Sequence, residues 1–366
     1  MKRISFIVVV GACVALALVA GPSRASLYSP EESMAIPVNA DGKAVTLPFD
    51  EFKRRLAVLR NAATPPNKSK GETTDSPDRK KFLDRIAKQS DGKKLSATEA
   101  AALATDLLRV GEGSKALDVL GPLSHDRKPN YFVFSGLAHI HANGGNWSDA
   151  LKYHIEGRLD TEMPAEVKGL SKAQRDWWEK LDADYVPHLY RIRRDEAKTR
   201  GDLTTKEREK FDEVEDVLPL FPLPHEKEPR SPVRFVNDAG EYQPGTLATA
   251  EKAKLPPDAL AIVQQLALWY PGETRLYWLL AELYAAEDDL DSAEAIFNEC
   301  ADSLAYGAHK VMMAHRTAVK AAVDARPKPE EPQAPISMRT VMFYFGGVAG
   351  VALLALVRTL RRSRRA

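Results

Sequence analysis

The residues able to do chemistry are few and scattered. His139 and His141 are the closest pair of imidazoles in the chain. On a helix, a two-residue spacing turns them to different faces, so they do not read as a metal pair. Cys13 and Cys300 are the only cysteines. Two such residues cannot build a disulfide framework, a zinc cluster or a haem-attachment motif. The chain has no phosphate-cradling GxxxxGK[ST], no GxGxxG, no HExxH and no GxSxG. Trp177 and Trp178 offer either an exposed aromatic site, or a core Trp178 with Trp177 at a neighbouring helix contact. Cys300 is expected to be a buried, inert thiol. The expectation is therefore no catalytic activity, no cofactor and no metal, and a function that lies in binding.

What the chain binds is bounded by its charge. Its 366 residues carry 52 Lys plus Arg and 51 Asp plus Glu. The balance is uneven. Lys2, Arg3 and Arg24 precede residue 26, and six arginines with no acid lie in 338–366. The middle, 26–337, keeps 43 basic and 51 acidic residues, a formal charge of −8. A net-acidic body argues against nucleic acid, which requires a basic face.

The ends position the body. Lys2 and Arg3, an apolar run from Ile4 to Ala20, the breaker Gly21-Pro22 and the small residues Ser23 and Ala25 read as a signal peptide over 1–25. The alternative is an uncleaved anchor. At the other end, Thr340 to Val357 is an 18-residue stretch without charge inside a segment, 338–358, that reads as a transmembrane helix. Gly346 and Gly350 form a GxxxG within it. The Arg-rich tail, 359–366, follows. Basic residues stay on the cytoplasmic side, so the body is expected outside and the C-terminus inside. Residues 326–337, rich in proline, read as a stalk of polyproline type. The expected location is the cell membrane, single-pass, with the body in the periplasm or an equivalent space.

Between the ends the pattern is helical. Phe49, Phe52, Leu56 and Leu59 share one helix face, and 62–80 is polar and proline-containing, so 26–95 reads as N-terminal helices with a linker. Ser96 with Glu99 forms a capping box at the start of a helix near 97. A second helix covers Ser114–Leu120, and a second pair covers Tyr131–Ala142 and Ser148–Leu159. Ala116 and Ala150 are 34 residues apart, as are Ala259 and Ala293.

These residues resemble the tetratricopeptide repeat (TPR), a 34-residue helix-turn-helix. Unit 274–307 supplies Tyr277, Leu280, Ala281, Tyr284, Ala293, Phe297 and Cys300 at its packing positions. Unit 131–164 supplies Phe134, Leu137, Ala138, His141, Ala150, His154 and Gly157, and unit 97–130 a weaker set ending in Leu123. The resemblance covers about a third of the chain and implies an all-α, TPR-like solenoid. It places two repeats in 97–164, with further repeats and a capping helix in 256–325. The capping helix, near 307–325, is expected to turn Val311, Ala314, Ala318 and Ala322 inward. In such arrays the first helix of each unit lines a concave surface that holds a protein or peptide partner. The inward positions here include Phe132 and His139 in one unit and Arg275, Trp278 and Glu282 in the other. Trp278 is either a binding anchor or a core residue.

Residues 165–250 depart from the repeat and read as a charged helical insertion with a small hairpin. Ser171 with Gln174 caps a long helix that Pro187 must kink or split. Thr204 with Glu207 caps another, reaching Pro219. The charged run 193–216 reads as a solvated helix surface. Val233–Val236 and Glu241–Gln243, flanking Asn237–Gly240, read as the β-hairpin. The whole points to a membrane-anchored, extracytoplasmic TPR-like interaction scaffold. The alternative is a non-catalytic subunit or maturation factor of an envelope enzyme or transport complex.

Overall fold

A computed structural model describes residues 45–327 apart from 68–73, 91, 93, 129, 169 and 226–230. The expected signal peptide, the transmembrane helix, the Arg-rich tail and all of the stalk beyond Pro327 lie outside the described residues. No helix among the described residues is long and apolar enough to cross a membrane. The chain divides into a large unit, Met1–Val323, and a second, Asp324–Ala366. The packing that follows belongs to the large unit.

The described residues are all-α. Helix α1 (Phe49–Ala63) buries Phe52, Leu56, Leu59 and Ala62 along one stripe, the 3–4 spacing of an amphipathic helix. Helix α2 (Pro77–Gln89) starts where Ser76 accepts a hydrogen bond from the Arg79 backbone N–H. Helix α3 (Ala97–Arg109) opens on the expected capping box, with Ser96 and Glu99 each satisfying the other's backbone. It pairs with α4 (Gly113–Leu120) across a turn in which Gly111 takes a positive φ of 78°. The hairpin of α5 (Tyr131–Asn143) and α6 (Trp147–Asp160) repeats this arrangement. Both helices begin 34 residues after their counterparts. Helix α5 stacks on α3 and α4, α2 packs on α3, and α1 packs on α2.

The region after α6 contains α7 (Lys172–Lys180), α8 (Val186–Gly201), α9 (Thr205–Val214) and the single turn α10 (Thr249–Lys252). Ser171 and Thr204 cap as expected. Between α7 and α8 the chain makes a π-helical turn, Leu181–Tyr185. The helical run from 172 to 201 is unbroken, and the π-helical turn lies immediately before Pro187, where the ladder must absorb the missing N–H. The proline therefore disturbs the long helix without splitting it.

Two expectations for the region after α6 are corrected. No strand occurs among the described residues, so the β-hairpin at 233–243 does not form. The Asn237 N–H bonds Glu241 O, closing a turn, but Val233 bonds Phe221 O and Ala248 bonds Val236 O. Phe235 is drawn into the core, and its segment pairs on both sides with loop backbone instead of with 241–243. Helix α9 also stops at Val214 instead of reaching Pro219, because the Glu215 side chain turns inward to cationic partners described below.

Helix α11 (Ala259–Trp269) is buried over its full length. It packs on α1 and on α12 (Thr274–Ala286), which forms the third hairpin with α13 (Leu290–Asp302). Helix α1 thus bridges the early and late hairpins. Helix α14 (Lys310–Ala325) ends the array. It buries Met312 and Val319, while Ala314 is exposed, so its inward stripe is turned one residue from the expected one.

Candidate functional site

The five residues expected to line a concave binding face are all enclosed by the chain's own segments. Phe132, His139, Arg275, Trp278 and Glu282 are each at most 5% exposed. They fall into two separate clusters.

The first cluster forms around α5. The Tyr190 hydroxyl lies 3.0 Å from His139 Nδ1, the Tyr270 hydroxyl 2.9 Å from the same nitrogen, and the two hydroxyls 2.8 Å from each other. Trp269 and Tyr270 pack on the imidazole from the end of α11. Phe132 meets Trp178, which meets Trp269. Trp177 and Trp178 are both buried, so the tryptophan pair is core. Burial, with the charges of Arg109 and His154, pushes His139 down to about 3. It is therefore a neutral ring at ordinary pH. His141 sits half-buried one face away, stacked on Tyr153. No group of three or more His, Cys, Asp or Glu among the described residues is arranged to hold a metal.

The second cluster runs along α12, where Arg275, Trp278 and Glu282 share one stripe. The Trp278 indole N–H donates to Glu282 Oε1 at 2.6 Å, and His315 Nδ1 lies 2.7 Å from the same oxygen. Tyr242 stacks face to face on His315, with ring centroids 3.6 Å apart. The Arg275 guanidinium bonds Glu196 and donates to Asp216 O at 2.7 Å, with Glu215 at 3.6 Å. Glu215 also accepts from the Tyr306 hydroxyl and lies 3.1 Å from His309 Nε2. Burial raises the Glu215 carboxyl, but the bonds from His309 and Tyr306 and the charge of Arg275 outweigh it and hold the group at about 2. Cys300, beneath this helix pair, is fully buried, and desolvation pushes its thiol up to about 12. A thiol so placed does not form the reactive thiolate.

Next to this network lies an open cleft that the sequence did not single out. It encloses about 410 Å³ and is lined by Trp147, Arg193, Glu196, Ala197, Arg200, Gly201 and Arg208. Helix α6 supplies the tryptophan, and α8 and α9 supply the arginines. The Arg193 guanidinium sits 5.5 Å from the Trp147 ring centre and pairs with Glu196 and Glu273 at 2.7 and 3.1 Å. Arg200 pairs with Asp212 at 2.8 Å. The signal was present in the charged run 193–216: Arg193 and Arg200 are two helical turns apart, on one face. Their charge made that face look simply solvated. A second groove, of about 390 Å³, is more apolar and lies between Leu255, Pro256, Leu283 and Ala286.

Comparison with protein-family models, with curated proteins and with solved structures returns no match.

Proposed function

We propose that this chain is a membrane-anchored, extracytoplasmic protein-interaction scaffold of TPR-like architecture, without catalytic activity of its own. The observation that supports it most is the pair of helical hairpins α3–α4 and α5–α6, which begin 34 residues apart at both helices and stack on one another. Stacked hairpins of this period build extended surfaces whose use is recognition. The predicted anchor and leader add a location for that recognition, at the outer face of a membrane.

The enclosed inner stripes bear on how a partner docks. A peptide laid along α12 would have to displace Tyr242, Glu215 and His309, which are bonded or stacked in place. A partner in this reading engages the open cleft instead. Photo-crosslinkers placed at Ala197 and, as a control, at Lys115 on α4 of the full chain in its own membrane test the proposal. A reproducible adduct with one protein from Ala197 alone is the expected result. Identical adduct patterns from both positions, or none, would remove the scaffold reading.

A further inference from the structure

The cleft on α6, α8 and α9 has a composition that selects its ligand. Three of its seven lining residues are arginines and one is a glutamate. That glutamate, Glu196, is drawn away to the buried Arg275 and to Arg193. Arg193 and Arg200 are held in place by their own carboxylates. Arg208 is different. Its Nε donates to the carbonyl of Arg200 at 2.9 Å and one Nη to the carbonyl of Gly201 at 3.5 Å. Among the described residues it meets no carboxylate. It is exposed, yet anchored over the end of α8 with donors to spare. Trp147 forms the aromatic wall, half-buried and pressed against Arg193.

A rigid aromatic wall beside an arginine fork is the composition of a binding hot spot. Arg is also the side chain suited to planar, two-point recognition of carboxylate. We propose that this cleft binds an acidic segment of a partner protein, with Arg208 taking a carboxylate of that segment and Trp147 packing on its side-chain stems. The inference rests on the scaffold reading for its biological partner, but the site's chemistry stands on the cleft alone. The cleft volume lies in the range of a small-ligand pocket, which admits a few side chains and not a folded domain.

The test uses the full chain in detergent and four probes of known chemistry: fluorescein-labelled hexaglutamate, the matching hexalysine, inorganic phosphate and free glutamate. Saturable hexaglutamate binding is expected, weakening as salt rises and absent for hexalysine. Arg208→Glu is expected to weaken it at least tenfold, the loss of one charge-assisted bond, with the melting temperature lowered only slightly, since the bonds it gives up at the end of α8 are exposed. Trp147→Ala should weaken it as well, and Lys115→Glu, on α4, should not. Equal binding by the wild type and Arg208→Glu would overturn the proposal. So would failure to bind hexaglutamate, or phosphate competing it away at lower concentration than free glutamate does. Hexaglutamate binding that requires Arg208, alongside no partner adduct in the membrane, would sink the scaffold reading and leave the acidic-ligand site standing.

Discussion

A Cβ added to Gly157 would lie 2.7 Å from the Cβ of Phe134, closer than two side chains can sit. The two residues face each other across the α5–α6 hairpin, and the absence of a side chain at 157 lets the helices approach. Glycine inside a helix ordinarily costs about 1 kcal/mol relative to alanine, so Gly157→Ala would stabilise an open site. Here it must push α6 off α5, and the expected outcome is a net loss of about 1–3 kcal/mol. Gly201→Ala, where nothing lies within 4 Å of the added carbon, should leave stability unchanged or slightly raised. Urea midpoints of the two variants check this. Equal shifts would mean that the hairpin does not depend on the close approach.

The same hairpin shows how far the fold can be read from residue types. Capping boxes at Ser96, Ser171 and Thr204 are local, and all three start helices where the sequence places them. The 34-residue spacing and the small residues Ala150 and Gly157 are periodic, and they also survive folding. The failures are long-range. Glu215 leaves α9 to meet Arg275 and His309, partners 60 and 94 residues away. Phe235 abandons its hairpin for a distant core. The same holds for the site. Arg275, Trp278 and Glu282 do share a stripe, but no periodicity within α12 reveals that Tyr242, Tyr306 and α14 cover it. The arginine cleft draws on three helices, and no stretch of sequence contains it.

His139 makes the protein acid-sensitive in a defined window. Its folded value, about 3, lies well below the ordinary histidine value of about 6.5. Below pH 6.5 the unfolded chain binds a proton that the folded chain refuses, so stability is complete above that pH and falls as pH drops toward 3. For a ring this enclosed the loss is of order 4 kcal/mol across the window. His154, also lowered chiefly by burial, acts in the same direction. His139→Gln, measured by urea unfolding at pH 7 and pH 4, should show a smaller difference between the two pH values than the wild type does. An unchanged difference would mean that the ring is not held neutral.

Glu215 contributes lower on the scale. Its folded carboxyl, held at about 2, sits below the ordinary glutamate value of about 4.3. The stability it provides is present above that ordinary value and is lost as pH falls toward 2. The size is about 2–3 kcal/mol. Glu215→Gln should be less stable than the wild type at pH 6 and converge with it near pH 2. Parallel curves that never converge would show that the carboxylate is not charged and paired in the fold.

Trp278 decides whether α12 is held from inside. Its side chain has no exposed surface, its indole N–H bonds Glu282, and its ring meets Tyr306 and His315 edge-on. Removing the ring in Trp278→Ala opens a cavity among these aromatics and should cost about 3–5 kcal/mol. Trp278→Phe keeps most of the packing and removes only the donor. Glu282 is fully buried, and its Oε1 would then have His315 alone. A buried carboxylate short of one donor costs about 1–3 kcal/mol, so Trp278→Phe should fall between wild type and Trp278→Ala. Adding Glu282→Leu to Trp278→Phe should recover part of that loss, since the stranded acceptor is gone, and the double-mutant cycle should show a coupling of about 1 kcal/mol or more. A zero coupling would mean that the indole and the carboxylate do not act on each other. An unchanged midpoint in Trp278→Ala would place the ring at a surface, where it would be open to a partner after all.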